Sequence, residues 1–459
     1  MIKDADVQAL QRIVGEENVS VRQPDLEAHS IDESWMEAHL PEVVVWAETT
    51  EQVADILRYA NEHDLPVVPW GGGSSLEGNP VPVMGGIVLA LYRMNKIIEL
   101  REQDLQVVVQ PGIVYDALNK QLRRLGMFFP PAPGSADVAT IGGMVANNSS
   151  GMRAVKYGVT RDYVLKLKVV LADGRVITVG SNAKKTTSGY DLVSLFVGSE
   201  GTLGVVTEIT LRLLGLPEQV AVAVASFDEL ADAADAIYEA VRYGLDPSAV
   251  ELLDANTMRV TNEHQGLSFR PTPTLFVEFH GNEGGIQEQI EYLRELCEEH
   301  HCVEFQTAIT AEAREKLWSA RSEVHDSIKF SHPGCAMIAG DVCVPISRFG
   351  EMVAYVREVA EENDLIIYAF GHAGDGNLHT ETIARRDTDE FPRALCAIDA
   401  IIERALALGG TVAGEHGIGA IKRDFMPKEH GPSLEVMRAI KNTLDPKGIL
   451  NPGKIFPAT

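Results

Sequence analysis

The chain predicts an α+β protein of two principal domains, with a C-terminal segment that returns to the first. Three observations carry this. At 459 residues with 45% hydrophobic side chains, the chain is too long for one small core and can bury two or three. Its 40 glycines are clustered, so the backbone turns sharply or lies against something large at a few places. From Gln219 onward glycine thins and strand-like runs alternate with helix-like ones, the pattern of an α/β cap domain on an antiparallel sheet with helices mainly on one face. The boundaries follow: residues 1–40 form an N-terminal helical segment, 41–216 a ligand-binding domain, 217–410 the cap, and 411–459 the returning segment.

Taken in order, MIKDADVQALQRIVGEE reads as an amphipathic helix and PEVVVWAE, Pro41 to Glu48, as a buried strand. TTEQVADILRYANEHD then opens with a helix-capping signal, and LPVVPW is a second strand that runs into glycines, which makes a βαβ start. GIVLAL and LQVVVQPG continue as strands, YDALNKQLRRLG as a helix, and VLKLKVVLADGRVITVG as a hairpin turning at Asp173-Gly174. Beyond Gln219 come the helices FDELADAADAIYEAVRYG, IQEQIEYLRELCEEHH and RFGEMVAYVREVAEEND, interleaved with the strands TLFVEFHG and DVCVPIS. A last helix, FPRALCAIDAIIERALALGG, precedes GEHGIG and the tail LNPGKIFP.

The 66 acidic and 40 basic residues leave a net charge of −26, which repels nucleic-acid phosphate and anionic lipid. Nucleic acid is excluded as a partner. Five cysteines, odd in number and without CxxC spacing, read as reduced thiols, and the N-terminus has no leader-like character, so a cytoplasmic location is expected. No apolar run reaches the roughly 18 residues that span a bilayer, so an integral membrane protein is not expected. Peripheral membrane attachment and a homodimer remain compatible with the sequence.

Three glycine-rich segments stand out. PWGGGSSLEG, Pro69 to Gly78, follows a strand and offers successive N–H groups to an anion such as a pyrophosphate. It lacks the GK[ST] of a Walker loop, and Leu76 replaces the third glycine of the dinucleotide fingerprint; a wide turn is the alternative. The second segment, Pro130 to Val164, is nearly uncharged until Arg153 and rich in small residues, as suits backbone laid along a large ligand. The third, GSEGTLG, either completes the same cradle or makes a tight turn into a strand.

A second constellation is polar. In YAFGHAGDGNLHTE an Asp375-Gly376 turn would set His372 opposite His379, close enough for two imidazoles to grip one ion. GEHGIG supplies Glu415 as a third ligand and His416 beside it as a base; a helix start is the alternative for that motif. Two imidazoles and one carboxylate leave positions open for a chelating substrate, as in catalytic sites.

In order and spacing, the three glycine-rich segments resemble the FAD-binding domain of the vanillyl-alcohol oxidase and p-cresol methylhydroxylase superfamily, and GHAGDGNLH with GEHGIG resembles its branch of D-lactate dehydrogenases (cytochrome type), D-2-hydroxyglutarate dehydrogenases and glycolate oxidase D subunits. The resemblance implies a two-subdomain, PCMH-type FAD-binding domain and a cap. It implies non-covalent FAD, since Ser74 and Ser75 stand where some members attach the flavin to histidine. FAD would then lie against Pro69, Gly71, Gly72, Gly73, Ser74, Ser75 and Gly78. The middle segment would add Pro133, Gly134, Thr140, Gly142, Gly143, Asn147, Ser150, Gly151, Tyr157 and Gly158. Glu200, Gly201, Gly204, Val205, Val206 and Asn451 would complete the set.

The branch further implies His372, His379 and Glu415 as ligands to zinc or manganese, His416 as base, Asn377 as an orienting residue and Arg321, in LWSAR, as receptor of a substrate carboxylate. Members that act on dicarboxylates carry basic residues just before the DxxxP strand, whereas CAMIAG, Cys335 to Gly340, has none. The implied activity is oxidation of a small, D-lactate-like D-2-hydroxy acid, with electrons passed to a cytochrome, a quinone or an electron-transfer flavoprotein. A glycolate oxidase D subunit, a D-2-hydroxyglutarate dehydrogenase, a metal-dependent hydrolase and an inactive flavin-binding subunit are the alternatives.

Overall fold

The computed structural model describes residues 2–457. The chain divides into two compact units. The first holds the chain up to Ser150, Val159–Leu216 and the chain from Glu415; the second holds Gly151–Gly158 and Pro217–Gly414.

The first unit contains the βαβ start. Val43–Trp46 and Val67–Trp70 both run parallel to Ile87–Ala90, which lies between them, and Val19–Ser20 closes one edge antiparallel. The connecting helix Thr50–Glu62 begins with a reciprocal cap: Thr49 Oγ1 accepts the Gln52 N–H at 3.2 Å, and the Gln52 side chain accepts the Thr49 N–H at 3.3 Å. Its apolar stripe, Val53, Ile56, Leu57 and Ala60, is buried on Val43, Val45, Val67 and Leu89. The edge beside Val67–Trp70 is covered by the chain's own tail, since Leu450 bridges Val67 and the Asn451 N–H reaches the Val67 carbonyl at 2.8 Å. A second, antiparallel sheet orders Ile97–Arg101, Gln106–Val109, Val205–Arg212, Val164–Val170 and Val176–Gly180. The Asp173-Gly174 hairpin is present, with Gly174 at φ 81°.

The second unit is built on a seven-stranded, wholly antiparallel sheet. Its order is Glu304–Ala308, Gln219–Ser226, Thr274–Gly281, Ala249–Leu253, Ile366–His372, Asn377–Ala384, Ala336–Cys343. CAMIAG is thus no approach to the last strand but its first half. The expected placement of helices mainly on one face does not hold: Thr274–Gly281 and Asn377–Ala384 are buried almost throughout. Helices account for this on both faces. Ala255–Gln265, Ala311–Ser322 and Val324–Ser331 pack with Phe276, Phe370 and Leu253, while Leu230–Arg242, Glu283–Glu299, Phe349–Glu362 and Glu390–Ala407 form another group on the sheet.

The segment Gly151–Gly158 joins this unit through an ion pair whose carboxylate is buried and whose guanidinium is partly so. Arg153 grips Glu278 with two bonds, Nε to Oε1 at 2.9 Å and Nη2 to Oε2 at 3.2 Å, and the Tyr157 hydroxyl lies 2.7 Å from His280 Nδ1. Burial alone would raise the Glu278 pKa, but Arg153 and His280 outweigh it and hold the carboxyl far below its usual range. A depressed carboxyl contributes stability above its unfolded value of 4.5 and loses it as pH falls further. We expect Glu278→Gln to lower stability at neutral pH by roughly 2 kcal/mol, as for loss of a charge-assisted hydrogen bond whose cation keeps some solvent access. The same variant flattens the acid limb of a thermal-stability profile below pH 4.5; an acid limb unchanged from wild type contradicts this.

Candidate active site

In the first unit the three glycine-rich segments meet. A Cβ on Gly71 would stand 2.6 Å from Thr140 Oγ1, one on Gly72 would strike the Val138 carbonyl, and one on Gly201 would meet Pro69 Cγ at 3.0 Å. Gly73, Gly78 and Gly201 also hold positive φ, at 73°, 72° and 68°, where a side chain is strained. Thr140 caps the helix Ile141–Asn147 by accepting the Gly143 N–H at 3.2 Å, and Ser135 and Ser74 hydroxyls are 3.4 Å apart. Gly142 lies against Pro111. The Gly78 N–H is held at 2.9 Å by Asp32, whose pKa burial pushes up to about 6.

The remaining residues expected near the cofactor divide. Ser150 is buried, while Ser75, Pro133, Gly134 and Gly143 are only partly so or more open. Val205 is part of the hydrophobic core, in register with Val170, and Val206 pairs with Val169; Gly204 is wedged against Val169. Gly151, Tyr157 and Gly158 belong to the second unit. Glu200 and Asn451 tie the returning segment down. Glu200 Oε1 accepts the Ile418 N–H at 2.7 Å, while its Oε2 accepts Gly419 N–H at 2.9 Å and Asn79 Nδ2 at 2.7 Å. Burial still raises the Glu200 pKa against these donors. Asn451 Nδ2 donates to the carbonyls of Asn79 and Glu200 at 3.0 and 2.7 Å.

This frame orients GEHGIG. The Ser150 hydroxyl donates to Glu415 Oε2 at 3.1 Å, and Asn147 Nδ2 donates to the His416 carbonyl at 3.1 Å. His416 Nδ1 lies 3.6 Å from Glu77 Oε1, which pairs at 2.8 Å with Lys422 Nζ. Glu77 and Lys422 are both almost fully buried. Glu77 sits inside PWGGGSSLEG but was not among the residues of that loop expected at the site.

In the second unit the hairpin differs from the expected register. Ala373 to Gly376 form a four-residue loop, so His372 opposes Asn377, and His379 opposes Phe370. Asp375-Gly376 is therefore the end of a longer loop rather than a two-residue turn: the Asp375 N–H returns to the His372 carbonyl at 3.2 Å, and Gly376 takes φ 83°. A two-residue shift leaves both histidines on one sheet face as diagonal neighbours, within reach of long side chains. Their Nε2 atoms are 3.2 Å apart.

Two buried carboxylates missed in the sequence stand behind them. Glu251 Oε1 lies 2.5 Å from His372 Nδ1, and its Oε2 accepts Arg321 Nε at 2.5 Å. Burial opposes ionisation of Glu251, but Arg321 and His372 prevail and its pKa is lowered. A carboxylate at Nδ1 fixes that nitrogen as the donor and turns the lone pair of His372 Nε2 toward His379. Asp341 lies 3.7 Å from His379 Nδ1 and accepts Asn377 Nδ2 at 2.7 Å; the same amide reaches the Val342 carbonyl at 2.9 Å. Arg321 is buried with its guanidinium 5.2 Å from the Phe370 ring centre. The one legible sign of Glu251 was a lone acid in the apolar run AVELL.

Comparison with known proteins identifies the family of both parts of the chain. Residues 216–455 match the family model of FAD linked oxidases, C-terminal domain, and residues 41–180 match an FAD binding domain. The chain is 39% identical to D-lactate dehydrogenase (cytochrome), mitochondrial, of Arabidopsis thaliana, over 91% of this chain and 74% of that one. It is 37% identical to glycolate oxidase subunit GlcD of Bacillus subtilis, over 99% and 97%. The structure of p-cresol methylhydroxylase with substrate bound shares the fold, with a TM-score of 0.82 at 18% identity over 98% and 96%.

Proposed function

The chain belongs to the FAD linked oxidases, and on that premise we propose that it oxidises a small D-2-hydroxy acid, D-lactate-like, to the 2-keto acid with the help of a divalent metal. The observation that carries the reading is the facing pair of His372 and His379, whose Nε2 atoms are 3.2 Å apart on a rigid sheet. Two imidazole nitrogens converging at that distance can hold one cation between them. Glu415, oriented by Ser150, is the third ligand in this reading; the two imidazoles suit zinc, and the family resemblance implies zinc or manganese.

The glycines fit FAD by drawing their loops together. Gly71, Gly72 and Gly201 let the three glycine-rich segments pack directly on Thr140, Val138 and Pro69, and in this reading FAD lies along them without covalent attachment, since Ser74 and Ser75 stand where some relatives carry the attaching histidine. When bound, FAD supplies the acceptor for the substrate's Cα hydride and the metal supplies a Lewis acid for its hydroxyl oxygen. The chain's own residues do the rest. Arg321, with Nε engaged by Glu251, receives the substrate carboxylate on its remaining N–H groups and sets Cα in place. Asn377, fixed by Asp341, keeps the His379 strand in register. His416 takes the hydroxyl proton at Nε2, its Nδ1 side facing Glu77. Electrons then leave to an external cytochrome, quinone or electron-transfer flavoprotein. Among the described residues no helix is long and apolar enough to cross a membrane.

Met337, Ala339 and Glu381 share the sheet face of His379, by register with Ile383, Glu381 and Ala339. Met337 and Ala339 offer nothing to a second carboxylate, and the nearby imidazole of His325 is already engaged by Glu381 Oε1 at 3.1 Å. Comparing kcat/KM of the purified protein for D-lactate, D-2-hydroxybutyrate, glycolate, D-malate and D-2-hydroxyglutarate tests this. The dicarboxylates are expected to be at least about 10-fold poorer, the cost of a second carboxylate left without a partner; a preference for D-2-hydroxyglutarate overturns the substrate assignment. The likeness to a GlcD subunit supports glycolate as the second reading, in which partner subunits are needed for turnover.

A further inference from the structure

We propose that Glu251 is a shared positioning residue that ties the metal-binding imidazole of His372 to the carboxylate-binding guanidinium of Arg321, so that metal and substrate bind cooperatively. The inference rests on the proposed roles of His372 and Arg321. Ala249–Leu253 is an interior strand, flanked by Thr274–Gly281 and Ile366–His372, and Glu251 is in register with Phe276 on one side and His372 on the other. It is the only charged residue in AVELL and is wholly buried. A buried acid in such a strand requires partners, and Glu251 has one on each oxygen: His372 Nδ1 on Oε1 and Arg321 Nε on Oε2, both at 2.5 Å.

The planarity of a carboxylate makes this arrangement a coupling device. Oε1 and Oε2 cannot move independently, so a guanidinium drawn toward an incoming carboxylate rotates the Glu251 group, and the imidazole on the other oxygen follows. A metal that fixes His372 fixes Glu251 and thereby pre-sets Arg321. The coupling is reciprocal: each ligand tightens the other by the same factor, here about 5- to 10-fold, the low end of the usual range. A plain counter-ion for Arg321 would have no reason to hold a histidine as well.

Zinc or manganese alone is titrated into metal-stripped, FAD-loaded protein, and KM and kcat for D-lactate are measured on the reconstituted enzyme. Glu251→Gln can accept on only one atom, so it should weaken metal binding about 10- to 100-fold, as loss of an outer partner does, and raise KM more than it lowers kcat. Arg321→Lys keeps the charge but not the Nε contact. Although Arg321 is no ligand, this variant should weaken metal binding about 5-fold, and its effect should vanish in the Glu251→Gln background. If Glu251→Gln does not fold, judged by flavin content and thermal unfolding, Arg321→Lys alone decides. An Arg321→Lys protein that binds metal like wild type, while His372→Ala does not, overturns the coupling and leaves the metal reading standing. If His372→Ala binds metal as tightly as wild type, the metal reading itself fails and the coupling with it.

Discussion

His416→Ala retains FAD and loses at least about 100-fold in the rate at which a hydroxy acid reduces the flavin, the lower end for removal of a general base. The residue's ring hangs from a backbone that is held independently: Asn147 binds the His416 carbonyl, and Glu200 binds the Ile418 and Gly419 N–H groups. Truncating the imidazole therefore leaves the returning segment seated, and flavin content reports that directly. Rapid mixing without oxygen isolates the reductive step from whatever reoxidises the protein. A reduction rate within a few-fold of wild type removes His416 from proton transfer.

His379→Ala is expected to abolish tight metal binding and to slow flavin reduction roughly 100- to 1,000-fold, since Lewis-acid help at a developing alkoxide is worth several kcal/mol and about 1.4 kcal/mol makes a decade. Its ring sits on an interior strand between Ile366–His372 and Ala336–Cys343, so an alanine there keeps both ladders. Metal content by elemental analysis and reduction rate should fall together. Adding zinc or manganese back to chelated wild type restores the rate, and adding it to the variant does not. Chelated wild type that is verifiably metal-free yet reduces its flavin at full rate contradicts the metal's role.

How legible the molecule was depended on whether a feature is local. The helix Thr50–Glu62 and the strands Val43–Trp46 and Val67–Trp70 follow from capping, periodicity and composition within short windows, whereas the glycine-rich loops were visible as loops but not their contacts with Thr140, Val138 and Pro69. Register is less local: an Asp-Gly pair signals a turn but not where the ladder resumes, and the four-residue loop displaced His379 from opposite His372 to the diagonal. The supporting carboxylates were least visible. Glu251 is 121 residues from His372 and Glu77 is 339 from His416, and only folding brings each pair within 4 Å. Helix coverage of both sheet faces, where helices mainly on one face were expected, likewise follows from tertiary packing and leaves Thr274–Gly281 and Asn377–Ala384 buried almost throughout.

Flavin-linked oxidation of a small 2-hydroxy acid is open to a decisive experiment: the purified, metal-loaded protein is mixed with D-lactate in the absence of oxygen, and the flavin absorbance and the products are followed together. Bleaching of the oxidised flavin band, with one pyruvate formed per flavin and no response to L-lactate, is the result predicted. A flavin that stays oxidised in excess D-lactate, glycolate and D-2-hydroxybutyrate alike, or a protein that carries no flavin, would contradict it.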